Sequence, residues 1–177
     1  MLIGLTAKNA AGKDQVAGHL VERHGFRCFS LSDILRQELR KMGREITREN
    51  LTETGNRLRR EQGPGVLARL ALEALAEVDR AVVVSIRNPG EVQALRSRKD
   101  FLLVGVDAPV QVRFERARRR ARTDDAATLE DFIRQEEAEL KGSETEQQLE
   151  AVFRLSDRII VNDGSLDELY RKVEALL

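Results

Sequence analysis

The chain alternates short apolar runs with longer amphipathic stretches. Five runs are rich in β-branched and aliphatic residues, at positions 2–6, 27–31, 81–86, 101–107 and 158–162. Most are apolar throughout rather than at every second position, as expected for strands covered on both faces. Amphipathic stretches between them are typical of crossover helices. The pattern therefore predicts an α/β fold with three layers and a five-stranded parallel sheet.

Helix-start signals support these boundaries. Thr47 is expected to begin a helix, and Pro109 suits a first helical turn. Three pairs have capping-box spacing, namely Thr128 with Asp131, Ser143 with Glu146, and Ser165 with Glu168. We interpret residues 1–177 as one domain. Two helical stretches, 33–76 and 113–154, exceed a minimal unit and are expected to stand over the carboxyl ends of the strands, where open parallel sheets bind ligands.

Composition narrows the function classes. With 30 basic and 30 acidic residues the net charge is zero, which disfavours a generic nucleic-acid binder. No apolar run is long enough to span a membrane and no signal peptide is recognisable, so a cytoplasmic protein is expected. The lone Cys28, near Phe26 and Phe29, is interpreted as a buried thiol. His19 and His24 are five residues apart and are not expected to share a helix face as a metal pair would.

The most informative segment, AKNAAGKDQVA at 7–17, lies between the first strand and the first helix. A phosphate-binding loop has the form GxxxxGK[ST], in which backbone N–H groups hold the phosphates and the lysine reaches the β and γ positions. Gly12 and Lys13 match, whereas Ala7 replaces the first glycine and Asp14 replaces the hydroxyl residue. The alternative is a simple helix start with Asp14 favoured by the helix dipole. The predicted nucleotide-binding residues of the loop are Lys8, Asn9, Ala10, Ala11, Gly12, Lys13, Asp14 and Gln15.

The GKD form of this loop resembles the loops of the phosphomevalonate kinase and phage deoxynucleoside monophosphate kinase families. The resemblance implies that Asp14 is compatible with catalysis and contributes to binding Mg²⁺ through its carboxylate. The same carboxylate would also repel a triphosphate. In the phage-type loop the residue after the aspartate is often threonine, whereas this chain has Gln15.

Candidate acceptor residues follow the second strand. The segment LSDILR at 31–36 resembles the acceptor segment of adenylate-kinase-like enzymes, which implies that Asp33 and Arg36 contact an acceptor phosphate. The alternative is an N-cap aspartate followed by a solvated arginine. Further along, Arg57 and Arg60 share a helix face and could complete an anion pocket or face solvent.

The segment VVVSIRNPGEV at 82–92 resembles a family of small dephospho-CoA-kinase-like or nucleotide-kinase-like proteins. The resemblance implies acceptor-binding roles for Arg87, Asn88 and Glu91. Val84 and Ser85 stand where relatives carry an aspartate near the strand end. Turn formation at Asn88-Pro89-Gly90 is the alternative explanation.

Six arginines fall within residues 113–122. Arg116 and Arg120 match the two arginines of adenylate-kinase-like lids, and Arg122 resembles a further lid arginine of the closer family. The resemblance implies that these three, with Lys13, stabilise the charge of a moving phosphoryl group. A solvated basic face or an RNA-binding helix is the competing interpretation. Asn162 and Gly164, in the turn after the fifth strand, resemble the segment that borders adenine, although a capped turn would explain them equally.

Together these features predict ATP-dependent transfer of a phosphoryl group to a small phosphorylated acceptor, with a nucleoside monophosphate favoured. The implied ligands are ATP and Mg²⁺, with no membrane partner, nucleic acid disfavoured and the oligomeric state open. The alternative hypothesis is a nucleotide-binding protein with little or no kinase activity, which the departures at Ala7, Asp14, Gln15 and Val84 favour.

Overall fold

A computed structural model describes residues 1–120, 128–140 and 148–177. Its five strands are β1 (Leu2–Ala7), β2 (Arg27–Ser30), β3 (Ala81–Val84), β4 (Phe101–Asp107) and β5 (Arg158–Val161). They form one sheet in the order β2-β3-β1-β4-β5, and every neighbouring pair is parallel. The predicted five-stranded parallel sheet is therefore confirmed, with each strand end within two residues of its predicted position.

The described helices alternate with these strands. They are α1 (Lys13–His24), α2 (Leu31–Lys41), α3 (Arg48–Gln62), α4 (Val66–Ala74), α5 (Pro89–Leu95), α6 (Val110–Arg120), α7 (Leu129–Leu140), α8 (Leu149–Arg154) and α9 (Leu166–Glu174). The side chain of Thr47 accepts a hydrogen bond from the N–H of Asn50, and Ser165 forms a capping box with Glu168. These starts agree with the predictions, whereas the predicted pair of Ser143 and Glu146 lies outside the described residues.

Each face of the sheet carries its own hydrophobic core, which makes the domain three-layered. Along β1, Leu2 packs among residues of α2, α3, α4, α5 and α8, whereas Ile3 and Leu5 pack against α1 and α9. Successive strand side chains point to opposite faces, so one apolar run supplies both cores. The helices α6 and α7 form a smaller separate cluster around Ala117 and Phe132.

The prediction of a buried Cys28 is wrong. Its strand, β2, forms one edge of the sheet, and the Cys28 side chain is exposed there. The neighbouring Phe26 is buried in the core beneath α1 and accounts for the apolar character of the segment. In the part of the chain that the structure describes, no helix has the length and apolar character needed to cross a membrane.

Candidate phosphate-binding site

A cavity of about 1250 Å³ opens where the strands end. Its floor is the end of β1 together with the loop that leads into α1. The walls come from α2 and α3 on one side and from α6 on the other. The cavity therefore lies at the carboxyl edge of the sheet, between the two helical stretches that exceed a minimal α/β unit, where ligands bind in folds of this class.

The cavity is strongly basic although the chain as a whole is neutral. Only Asp14 and Glu136 contribute acidic side chains to its described lining. The basic side chains number nine, namely Lys8, Lys13, Arg36, Arg48, Arg59, Arg87, Arg116, Arg119 and Arg120. Such a concentration of one charge sign within low-dielectric walls attracts anions. Arginine also offers the paired donors that suit phosphate oxygens.

The loop has the backbone of an anion-binding nest. Ala10 and Gly12 have φ angles of 57° and 103°, and residues of negative φ separate and follow them. This alternation makes successive N–H groups converge. Gly12 is the N-cap of α1, so the positive end of that helix dipole adds to the same site. All eight predicted loop residues, 8–15, line the cavity.

Lys13 contacts the residue that replaces the usual hydroxyl. Its Nζ donates to Oδ1 of Asp14 at 2.6 Å, and the Asp14 side chain is 80% exposed. The carboxylate therefore lies at the mouth of the loop, beside the lysine that the motif assigns to phosphates. A phosphate entering the loop would compete with Asp14 for this lysine.

Asn162 fastens the loop to two other elements. Its Nδ2 donates to the carbonyl of Ala11 at 2.8 Å, and its own N–H donates to the carbonyl of Asp107 at 2.7 Å. Arg116 donates to the Asn162 carbonyl at 3.1 Å. Asn162 is 4% exposed and lines the cavity together with Gly164. The predicted adenine-bordering residue thus holds the loop, the sheet and α6 together.

Asp107, which the sequence analysis did not select, anchors the first half of the loop. It ends β4, and its Oδ2 accepts a hydrogen bond from Nζ of Lys8 at 2.9 Å. Its Oδ1 accepts from the N–H of Ala108. The sequence did carry a signal for Asp107, which is a carboxylate at the end of β4, the strand beside β1. Because neighbouring parallel strands end at the same edge of a sheet, its side chain would be expected near the loop.

Arg116 and Arg120 both reach the cavity, as predicted for the arginine-rich segment, and Arg119 lines it as well. Arg113 has a different role: it is 3% exposed and pairs through both terminal nitrogens with Glu136 of α7. This pair joins α6 to α7 beneath the cavity-facing arginines. The predicted catalytic residue Arg122 lies outside the described residues.

The structure places only some of the predicted acceptor-binding residues at the cavity. Arg36 and Arg87 line the cavity. Asp33 does not, although its carboxylate accepts a hydrogen bond from Arg36 at 2.7 Å and so positions that guanidinium. Arg57 points away from the cavity and pairs with Glu61 at 3.1 Å on the outer face of α3. Arg59, two residues later on the helix, faces inward instead.

Glu91 and Asn88 are buried residues that cap α5. The side chain of Asn88 accepts from the N–H of Gly90, and Oε2 of Glu91 accepts from the N–H groups of Arg87 and Asn88. The other Glu91 oxygen accepts two hydrogen bonds from Arg59, at 2.8 and 3.1 Å. Neither Asn88 nor Glu91 lines the cavity, so the structure does not place these two predicted acceptor residues against a ligand.

Burial raises the pKa of Glu91, whereas Arg59 and the two backbone N–H groups act to lower it. All four N–H groups donate to the Glu91 oxygens. A proton on the carboxyl group would therefore find no acceptor. The pair is therefore ionic. Through it Glu91 holds both the Arg59 guanidinium and the backbone of Arg87 at the cavity wall.

Three serine hydroxyls cluster near the ends of β2 and β3, and one of them, Ser85, stands where the resemblance implied an aspartate after the third strand. Oγ of Ser30 lies 3.0 Å from Oγ of Ser32 and 2.9 Å from Oγ of Ser85. Ser85 has a φ of 64°, a left-handed conformation that is uncommon outside glycine. Ser32 and Ser85 both line the cavity, so hydroxyl groups face it at this point.

We expect Gly12→Ala to destabilise the protein by about 2–3 kcal/mol in urea unfolding. The left-handed backbone costs a residue with a side chain roughly 1–2 kcal/mol. The added Cβ would also lie 2.2 Å from Nδ2 of Asn162, which must move and release its buried hydrogen bond to Ala11, a loss of about 1 kcal/mol.

Gly18→Ala is the matched control, because Gly18 lies in the same helix with nothing within 4 Å of the added carbon. This change is expected to stabilise the protein by about 0.5–1 kcal/mol. Equal unfolding midpoints for the two variants would contradict the assigned loop geometry.

Comparisons with known proteins extend over the whole chain. No family model matches it. The chain is 34% identical over 184 residues to the UPF0200 protein of Thermococcus gammatolerans, covering 100% of this chain and 94% of the relative. It is 30% identical over 181 residues to a UPF0200 protein of Methanocaldococcus jannaschii, covering 100% and 89%.

Solved structures share the fold. TT1252 from Thermus thermophilus superposes with a TM-score of 0.64 at 21% identity, over 99% of this chain and 95% of that protein. The shikimate kinase from Acinetobacter baumannii in complex with shikimate superposes with a TM-score of 0.57 at 18% identity, over 99% and 91%. The fold is therefore that of the P-loop kinases, whereas these comparisons do not distinguish the GKD type of loop.

Proposed function

The chain belongs to the UPF0200 family, and we propose that it is an ATP-dependent phosphotransferase acting on a small phosphorylated acceptor, with a nucleoside monophosphate as the favoured class. In this proposal residues 1–177 form one kinase-like domain. Residues 33–76 supply the acceptor side, and residues 113–154 supply the arginine-rich lid.

The observation that carries the proposal is the basic cavity built around the loop. Nine cationic side chains line it against two acidic ones, and Lys8, Arg36 and Arg59 are paired with carboxylates behind the wall. The remaining excess of positive charge, on a chain of zero net charge, is suited to a highly charged anion such as ATP. The nest at Ala10 and Gly12 and the amino end of α1 would bind its β- and γ-phosphates. Lys13 would leave Asp14 to contact the same phosphates.

The arginines divide into two groups that suit two anionic ligands. Arg116, Arg119 and Arg120 belong to α6, above the loop. Arg36, Arg48 and Arg87 come from α2, α3 and the segment after β3. The second group supports an acceptor that itself carries a phosphate, because a neutral acceptor would not need three guanidinium groups in its wall.

The proposed step is a direct displacement. An oxygen of the acceptor phosphate forms a bond to the γ-phosphorus while the bond from the bridging β–γ oxygen breaks, and ADP leaves. The acceptor phosphate is already ionised at neutral pH, so no general base is needed. Lys13, Arg116 and Arg120 would stabilise the charge on the moving group and the departing oxygen.

The cavity offers oxygen donors that fit Mg²⁺, which takes carboxylates, hydroxyls, waters and phosphates. Asp14 belongs to the loop, and the side chains of Ser32 and Ser85 line the same cavity. When bound, Mg²⁺ would neutralise part of the triphosphate charge. We propose Asp14 as the carboxylate that holds it, together with the phosphates and water.

The proposal is tested by ADP release from Mg-ATP with purified protein. Each ribo- and deoxyribonucleoside monophosphate, dephospho-CoA and phosphomevalonate is offered separately. Turnover that depends on one acceptor is expected, with phosphorylated acceptor appearing in equal amount to ADP. ADP release at the same rate with and without every acceptor would contradict phosphoryl transfer to a phosphorylated acceptor.

A nucleotide-binding protein with little transfer activity is the second candidate, and the 2.6 Å pair of Lys13 with Asp14 favours it. The variant Asp14→Ser separates the two. If Asp14 holds Mg²⁺ in a working kinase, we expect kcat to fall by at least about tenfold and more Mg²⁺ to be needed for half-maximal rate. If the lysine is merely blocked, calorimetry should instead show tighter binding of Mg-ATP without any turnover.

A further inference from the structure

A cluster of side chains that are potential metal ligands lies away from the cavity, between α1 and α9. Nε2 of His19 and Nε2 of His24 approach the same oxygen, Oε1 of Glu174, at 2.6 and 2.8 Å. Their potential ligand atoms all lie within 4.8 Å of one another. Along the axis of α1, His19 lies about 9 Å and His24 about 16 Å from the loop lysine, Lys13.

His19 and His24 were not expected to share a helix face as a metal pair would, yet their side chains meet at one carboxylate. A spacing of five residues does place their Cα positions on different sides of α1. Their rings nevertheless lie 5.5 Å apart, because both side chains turn toward the carboxylate that α9 presents between them. The sequence could not show this, since Glu174 is 150 residues further along the chain.

We propose that His19, His24 and Glu174 form a binding site for Zn²⁺ or a chemically similar transition-metal ion, which would link α1 to α9. Two imidazole nitrogens and one carboxylate are a ligand set that Zn²⁺ uses at sites with three protein ligands and water in the fourth position. The claim does not depend on the proposed kinase function.

The local geometry is close to what such an ion requires. Ligand atoms about 2.0–2.1 Å from a tetrahedral ion are about 3.3 Å apart, so each nitrogen must separate from Oε1 by roughly half an ångström. Glu174 can supply that movement, because its side chain is 47% exposed and it is the last residue of α9. The ion would replace the hydrogen bonds that the two histidines make to Oε1.

His19 is held in place by an aromatic contact from α9. The ring of His19 stacks on Tyr170 with centroids 4.1 Å apart and an interplanar angle of 8°. Tyr170 precedes Glu174 by one helical turn on α9, so one helix both orients an imidazole and supplies the carboxylate. Orientation of ligands by neighbouring groups is typical of metal sites.

The electrostatic surroundings favour a cation. His24 ends α1 and Glu174 ends α9, so the negative ends of two helix dipoles meet at the cluster. Arg80 donates to the carbonyl of His24 at 3.3 Å and so brings a positive charge to the same helix end.

The chain suits a direct test because it contains two histidines and one cysteine in total. We would use untagged, EDTA-treated full-length protein carrying Cys28→Ser, which removes the exposed thiol as a competing ligand. Calorimetric titration with Zn²⁺ is expected to show one equivalent bound, and Zn²⁺ should raise the unfolding temperature. Co²⁺ should give a visible spectrum of nitrogen and oxygen ligation.

His24→Ala and Glu174→Gln should each weaken Zn²⁺ binding by more than about tenfold. Removing a residue that only hydrogen-bonds to a metal ligand already weakens metal binding by about 10–100-fold, and removing a ligand itself should cost at least as much. Because Glu174 is exposed, Glu174→Gln is expected to fold, and it still tests the site if His24→Ala does not fold. Glu22→Gln, an exposed position on the same helix, should leave affinity unchanged. Equal Zn²⁺ affinity in all three variants, or no binding by the parent protein, would overturn the assignment.

Discussion

Lys13→Ala is expected to lower kcat/KM for the proposed phosphoryl transfer by about 1000-fold or more. Transfer of this kind relies on positioned positive charge, and removal of one such charge typically costs about 10³–10⁵ in rate. Lys13 lies at the start of α1 and lines the cavity floor, where it would contact the β- and γ-phosphates. The measurement is acceptor-dependent ADP formation over a range of ATP concentrations.

Lys99→Ala is the matched control, since Lys99 is an exposed lysine between α5 and β4, at the opposite edge of the sheet. It should retain the parent rate. Circular dichroism should show both variants folded, because the side chain of Lys13 pairs with its exposed neighbour Asp14 and its loss opens no gap in the core. Parent-like transfer by Lys13→Ala would refute the role of the loop, whatever the identity of the acceptor.

Glu91→Gln should destabilise the protein strongly, with a loss of about 3–5 kcal/mol in urea unfolding. Glu91 and Arg59 are 0% and 3% exposed, and a buried guanidinium that loses its carboxylate cannot be rehydrated. A glutamine also supplies one acceptor oxygen where the carboxylate uses two, and its amide N–H₂ would face donors. Such a loss is a large share of the stability of a typical domain, about 5–15 kcal/mol.

Glu61→Gln breaks an exposed pair with Arg57 on α3 and should cost less than about 1 kcal/mol. The double variant Arg59→Met with Glu91→Gln should be more stable than Glu91→Gln alone, because it removes the unpaired charge. If Glu91→Gln instead unfolds at the same urea concentration as Glu61→Gln, the buried pair contributes little and a different group must fix the backbone of Arg87.

The order of elements could be read from the sequence because it depends on local chemistry. Buried parallel strands need continuous apolar runs such as 81–84, and helix starts need side-chain acceptors such as Thr47. The phosphate loop was recognisable for the same reason, since Gly12 shapes the local backbone and Lys13 is the next residue in the chain. Cys28 shows the limit of this reasoning: whether a short apolar strand lies at the edge or the centre depends on its neighbours.

Tertiary structure alone decided which polar residues meet. Arg59 rather than Arg57 faces the cavity, and Glu91 is buried in an ion pair with Arg59 instead of lining the cavity. Asn162 joins loop, sheet and α6, and Glu174 brings two histidines together that their spacing had separated. Such contacts link residues many positions apart, so they depend on how the layers pack. The sequence by itself determined the fold and the phosphate loop, whereas packing determined the partners of each charged group.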